Sequence, residues 1–516
     1  MVGCGTLPFG SMPRFKSPKS LLKMSLKLVD DLIIRAAAAI QDLHGSYDNT
    51  ECKACIEEFQ QHLLSYIPSV VLEQVFNRCE QQRCCNSDNR IWFAIFMHRN
   101  MKEFKVLVSP RENKADDSFW IRNLSYLSNL VELNLRLVCT DEILEVVGGC
   151  CQKLTKIYIA SKVEKDTTST SLTFPFNAMK LNLFVSDEGL RHISRCKSLR
   201  VVTMSPLIRS HGGGRTMSVA GIRQLVRSLP CIQYVSYSDM GVVISEEMDD
   251  VDSLPLVRVD DSHPQARHIR AMSRLCPRLR SLVLTAAFNR TNTVDVMDAL
   301  RGSDLEVSDL ELVNFPACDS LLCLVRAKGV FLTRLCLKIC NITFDLLSNI
   351  GQSCVNLQHL TLRENLRQSD TPLVDVPTRG RGGFRCMFVH LECLQVYGMQ
   401  WNPLTLLPIL LTHAKRLQSL SFLCHKDYGY LDRMFLQILE ANPMPELLCV
   451  FIDCIMGSDG IRAICRCPKL RFFKYVVHVC FVLNCIAEIK KEFSNRNVDL
   501  KFVEIMAGER YPVELE

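Results

Sequence analysis

The phrase C-x-x-L-x-x-Φ-x-Φ, with Φ apolar, constrains this chain more than any other feature. It begins at Cys151, Cys196, Cys276, Cys354 and Cys467, each time with cysteine three residues before the first apolar position. Self-similarity at a period of 20–50 residues marks an array of stacked supersecondary units. Without the cysteine requirement, L-x-x-L-x-L cores start at Leu130, Leu154, Ala178, Leu199, Ile232, Leu279, Val307, Leu332, Leu357, Leu391, Leu417, Leu447, Leu470 and Leu500, which makes 14 candidate repeats. The 47-residue step from Ile232 to Leu279 has room for one degenerate copy.

The last two apolar positions of the core are two apart, the period of a strand, so they point inward and the residue between them points out. One short strand cannot bury its apolar side alone, so the repeats must stack. The rest of each unit reads as helix. Ser186-Asp-Glu-Gly-Leu190-Arg-His-Ile193 has a serine N-cap, acids in the first turn and apolar residues three apart. Thr140 and Ser458 open similar stretches. The phrase S/T-D-x-G-L-x-x-I-x-x-C-x-x-L, carried closely at 186–199 and 458–470, resembles the cysteine-containing leucine-rich-repeat family. That resemblance implies an α/β solenoid, a horseshoe of about 14 leucine-rich repeats with strands on the concave side, behind an N-terminal all-helical module.

A chain of 516 residues exceeds the usual single-core size, a limit a solenoid escapes by growing along one axis. The 26 cysteines, many fixed in the repeat register, read as small buried hydrophobes. Residues 1–19 have no apolar run of signal length, so the cysteines are expected reduced, in cytoplasm or nucleus. The net charge of +6 is too dilute to argue for nucleic acid, and no window of 18 uncharged apolar residues predicts a membrane span.

Residues 1–16 read as a disordered N-terminus, 17–115 as a helical docking or capping module, and 116–516 as the repeat domain, with loop insertions near 239–263 (acidic) and 365–387 (Arg/Gly-rich). Ser17-Pro18 starts a helix reaching about Ile40, a second runs from Cys52 to Leu64, and a third follows Pro68. Within the first, Ser20-Leu21-x-x-x-Ser25-x-x-x-Val29 resembles the BC box, through which substrate receptors dock on elongin C. Ile67-Pro68-Ser-Val-Val71-Leu72 resembles the box that selects cullin 2. The pair followed by leucine-rich repeats is similar to receptors of the ZYG and PRAME families. The resemblance implies adaptor-binding roles for Leu21, Ser25, Val29, Ile67, Pro68 and Leu72, with elongin B/C and cullin 2 as partners. The segment from Ile67 to Phe76 also resembles the opening of an F-box, which implies Skp and cullin 1 instead. A plain scaffold whose first helices only cap the stack is the third reading.

Cys52-x-x-Cys55 lacks the second knuckle of a compact zinc site, so no metal ligand set is assigned. No nucleophile–base pair or phosphate loop stands out, so the chain reads as non-enzymatic and without a cofactor. The third and fifth positions of each core are expected on the concave face, where Tyr158, Tyr234, Arg334, His359, Phe451, Phe472, Phe502 and Lys474 are candidates to hold a target protein.

Overall fold

The computed structural model of the protein describes residues 21–79, 89–106, 117–136, 138–162, 185–207, 217–246, 248, 251–287, 292–339, 342–364, 387–398, 403–423, 431–453, 457–477, 487–492 and 501–506. The chain forms two compact units, Lys19–Asp261 with Ala271–Leu279, and Ser262–Arg270 with Arg280–Glu516. The readings made for residues 1–16, for the cap at Ser17 and for the Arg/Gly stretch lie outside the described residues.

The first unit opens with α1 (Leu21–His44), α2 (Thr50–Tyr66), α3 (Ser69–Cys79) and α4 (Asn89–Phe96). α1 buries Leu26, Ile33 and Ile40, a single stripe seven residues apart. It stops at Gly45, whose φ of 73° suits glycine and whose N–H donates to the Gln41 carbonyl at 2.7 Å. The Asn49 side chain accepts from the Glu51 N–H at 2.9 Å and so caps α2. Gln60 of α2 donates to the carbonyls of Ala94, Ile95 and Met97 at 3.0, 3.2 and 2.8 Å, which satisfies acceptors at the end of α4.

The module is not all-helical. Strand β1 (Glu103–Lys105) lies in it and pairs in parallel with β2 (Glu132–Asn134). Met101-Lys-Glu-Phe104-Lys-Val106 is itself an apolar-x-x-apolar-x-apolar core, with all three apolar residues buried. Phe104 stacks on Phe76 at 5.3 Å, and Trp92 and Trp120 join the same aromatic cluster from α4 and from α5 (Asp117–Leu124). The helices therefore share one core with the first rungs of the stack.

The unit continues with α6 (Asp141–Cys150), β3 (Lys156–Lys162), α7 (Asp187–Ile193), β4 (Val201–Leu207), α8 (Val219–Ser228), β5 (Tyr234–Ser236), α9 (Met240–Ser245) and β6 (Arg258–Asp261), and the chain then forms α10 (Ala266–Leu275). β3 pairs directly with β4, and the Ala178 copy lies outside the described residues. The acidic stretch near 239–263 is not simply a loop insertion. It contains α9 and β6, with Leu256 and Val259 buried, and the N–H groups of Val257 and Arg258 both donate to the Gln233 carbonyl. This is the degenerate repeat for which the 47-residue step has room.

The second unit alternates β7 (Ser281–Thr285), α11 (Thr293–Gly302), β8 (Asp309–Val313), α12 (Asp319–Lys328), β9 (Arg334–Ile339), α13 (Phe344–Ser353), β10 (His359–Glu364), β11 (Cys393–Tyr397), α14 (Pro403–Leu411), β12 (Ser419–Leu423), α15 (Leu431–Ala441), β13 (Cys449–Asp453), α16 (Ser458–Cys465), β14 (Phe472–Val477) and β15 (Lys501–Met506). From β7 onward each strand pairs in parallel with the next. β15 corrects the last predicted register by one residue: Lys501 pairs with Phe472, and Phe502 aligns with buried Phe473 instead of with the outward row.

The recurring phrase has a local cause. The carbonyl at its cysteine position accepts from the leucine N–H three residues on, as in Cys151 to Leu154, Cys196 to Leu199 and Cys276 to Leu279, which closes the turn into each strand. The Cys151 thiol reaches the Leu127 carbonyl at 3.5 Å, in the preceding repeat. On the opposite side, Asp141 accepts from the Ser186 N–H at 2.9 Å and from its hydroxyl at 2.5 Å, and Asp187 treats Ser218 alike at 2.8 and 2.7 Å. The glycine of the motif makes room for this pairing. A Cβ on Gly189 would sit 2.3 Å from Asp141 Oδ1, and one on Gly221 2.0 Å from Asp187 Oδ1. At the end of the stack, α16 takes Gly457 and not serine as N-cap, and Asp432 accepts the Gly457 N–H at 2.8 Å.

Candidate functional site

Two surfaces answer to the sequence readings, one on the helical module and one on the strands. α1 carries an apolar face besides its buried stripe. Leu28 is 70% exposed and Leu32 53%, and Ser25 is exposed beside them. Residues 21, 25, 28 and 32 fall on one side of a helix, spaced by four, three and four. The Leu21 side chain lies outside the described residues. Val29 is half-buried at the edge of this face.

The turn from α2 to α3 makes a second apolar corner. Ile67 is half-buried and ends α2 with its N–H on the Leu63 carbonyl. Exposed Pro68 starts α3, its carbonyl accepting from Val71 at 2.9 Å and Leu72 at 3.2 Å. Leu72 corrects the expectation: it is in the core of the module and presents nothing to an adaptor. The exposed apolar residues here are Tyr66 and Val70, which a pattern centred on the box positions passes over.

On the strands the inward row is apolar and the outward row carries the candidates. In the first unit Glu132 binds Lys105 at 3.2 Å and Lys156 at 3.7 Å, and Arg136 lies over Tyr158 at 5.0 Å. Tyr234 donates to Asp260 at 2.6 Å, with Arg258 above its ring. Burial first, then Asp260, pushes the Tyr234 phenol up to about 12. β6, which builds part of this surface, falls in the stretch expected to be an acidic loop insertion.

In the second unit one outward row runs Ser281, Asp309, Arg334, His359, Cys393, Ser419, Cys449, Phe472 across paired positions. Arg334 is exposed and makes no ion pair among the described residues. Burial, reinforced by Arg334, lowers the His359 pKa, so the imidazole is neutral at pH 7. Its cross-strand neighbour Cys393 is raised by burial.

The parallel row holds Glu311, Cys336, Thr361, Gln395, Ser421, Phe451 and Lys474. Phe451 corrects a second expectation. It is 7% exposed and forms a cluster with Leu423, against which Tyr397 packs. Phe472 remains 37% exposed with the Lys501 ammonium 5.5 Å from its ring centre, and Lys474 is half-buried. A third row missed by the six-residue phrase includes Lys338, Arg363 and Tyr397, because the strands run one or two residues past the last core position. The alternation continuing to Ile339 in Leu335-Cys-Leu-Lys-Ile339 is the signal that could have found it.

Among the described residues no helix is long and apolar enough to cross a membrane. No family model matches the chain, and no curated protein matches it. Among solved structures the chain is similar to the leucine-rich-repeat-containing protein LegL7 from Legionella pneumophila, at 11% identity and a TM-score of 0.29, covering 76% of this chain and 98% of that one.

Proposed function

We propose that this protein is the substrate-recognition subunit of a cullin–RING ubiquitin ligase, with α1 docking on elongin C and the outward strand rows holding a target protein. The observation that carries the proposal is the second apolar face of α1. A helix that buries Leu26, Ile33 and Ile40 while exposing Leu28 and Leu32 has more apolar surface than its own module uses. A groove on an adaptor accepts such a face at helical spacing. Leu21 enters the adaptor's pocket, Ser25 keeps the approach close, and Val29, Leu28 and Leu32 line the rim. Ile67 and Pro68, with exposed Tyr66 and Val70, contact cullin 2.

Target contact falls to Tyr158 and Tyr234 in the first unit, and to Arg334, His359, Phe472 and Lys474 in the second. Such a receptor does no chemistry. It raises the effective concentration of a target lysine near a charged ubiquitin carrier.

The test is a pulldown from cells with wild type, a Leu21→Ala/Ser25→Ala double variant and a Pro68→Ala variant. Elongin B/C and cullin 2 are expected with wild type and lost with the double variant. Skp and cullin 1, lost only with Pro68→Ala, would replace the proposal by the F-box reading. Neither set, from folded wild-type protein, would leave a scaffold unrelated to ubiquitin.

A further inference from the structure

Outward charges on the strands of the first unit are mostly answered within their own sheet. Glu132 sits between Lys105 and Lys156, and Asp260 accepts from Arg258 at 3.0 Å. The strands from β9 to β15 differ. The row from Arg334 on β9 to Lys501 on β15 crosses only neutral side chains, among them Cys393, Ser419 and Cys449. The adjacent row, from Cys336 to Val503, carries Lys474 as its one charge. In the third row the acid is Asp453, which is buried.

The nearest outward acids stand on β8 and are engaged there. Asp309, the register partner of Arg334, accepts from the Ser281 hydroxyl at 3.0 Å, and Glu311 holds Lys338 at 2.5 Å. Arg334, Arg363 and Lys501 are exposed and Lys474 is half-buried, and none of the four makes an ion pair among the described residues. Arg363 is moreover the register partner of Lys338, and like charges so placed repel.

These four cations form two groups, Arg334 and Arg363 on β9 and β10, and Lys474 and Lys501 on β14 and β15. From β10 to β14 there are four strand steps, about 19 Å at the usual spacing. The outward side chains of β11 and β12 between them are uncharged. Phe472 and Val503, each 37% exposed, set apolar surface beside the lysines. A nucleic-acid strand is charged at every step and would lay phosphates over the uncharged middle. A peptide can carry its acids at the ends alone, and in extended form it covers about 19 Å with about six residues.

We infer that these rows bind an extended acidic segment of a partner protein, with carboxylates at both ends of an uncharged stretch of about six residues. This names the class of target. It rests on the proposed role of the strand rows in holding a target and not on the choice of adaptor.

Fluorescence anisotropy on the purified full chain, without adaptor, tests it. The probe is a labelled peptide of two glutamates, about six alanines and serines, and two further glutamates. Binding is expected with a Kd on the order of 100 μM at low salt, and it weakens as salt is raised. Arg334→Gln/Arg363→Gln and Lys474→Gln/Lys501→Gln each weaken it about fivefold. Arg334→Glu/Arg363→Glu loses this probe and gains affinity for one in which a glutamate pair at one end is replaced by lysines. Melting temperatures equal to wild type establish that the variants remain folded. No binding by folded wild type, equal binding of a peptide with lysines at both ends, or indifference to both glutamine pairs would each overturn the inference. So would a charge reversal without the switch in preference, or tighter binding of a single-stranded RNA oligonucleotide. Elongin binding, measured on the same preparations, is unchanged by these substitutions. Wild type that binds the peptide but not elongin therefore refutes the ligase reading alone.

Discussion

Cys151, Cys276, Cys354 and Cys467 are buried, and burial pushes each thiol from 9.0 up to about 12. In the unfolded chain these thiols ionise near their ordinary value, while in the folded state they stay protonated. The unfolded state therefore binds fewer protons above pH 9, and stability falls as pH rises. Below about pH 9 these groups add no pH dependence; between about 9 and 12 each costs up to about 1.4 kcal/mol per pH unit. Denaturation at pH 8 and pH 10.5 is expected to show this loss, while the exposed Cys231 alkylates readily in the folded protein. A second residue-scale prediction concerns Gly221. Gly221→Ala drives a methyl into Asp187 and breaks its two bonds to Ser218, costing about 1–3 kcal/mol. Gly302→Ala, where a Cβ meets nothing within 4 Å, is the control and stays near neutral in chemical denaturation.

Among elements, α1 bears the most specific expectation. Its two apolar faces have different roles, so their substitutions separate. Ile33→Ala leaves a cavity in the module and lowers stability by about 2–4 kcal/mol. Leu28→Asp/Leu32→Asp leaves the melting temperature within about 2 °C of wild type, because these side chains face water. Thermal denaturation of both variants checks the pair. The repeat strands were legible in the sequence wherever three core leucines stood together, as at Leu357, Leu360 and Leu362. β1 and β6 escaped because Met101, Phe104, Val259 and Asp261 replace leucine in the same register, and a buried aspartate breaks the apolar pattern altogether.

At the scale of the molecule, the sequence carried the stacking rule more clearly than the binding surface. Stacking depends on residues within one repeat and its neighbour, such as the Asp187–Ser218 pair, so a local phrase reports it. Which outward residues stay accessible depends on what packs across several repeats. Phe451 was read as exposed from its position, yet Leu423 and Tyr397 from neighbouring strands enclose it. Leu72 was read as part of a docking box, yet the module uses it as core. The docking account thus rests on α1. Titration of the purified full chain with purified elongin B/C by calorimetry tests it most directly. Wild type is expected to bind, and Leu21→Ala/Ser25→Ala to bind at least about tenfold more weakly, as loss of a buried anchor at a groove does. No heat from folded wild type, or equal affinity for the double variant, would contradict the account.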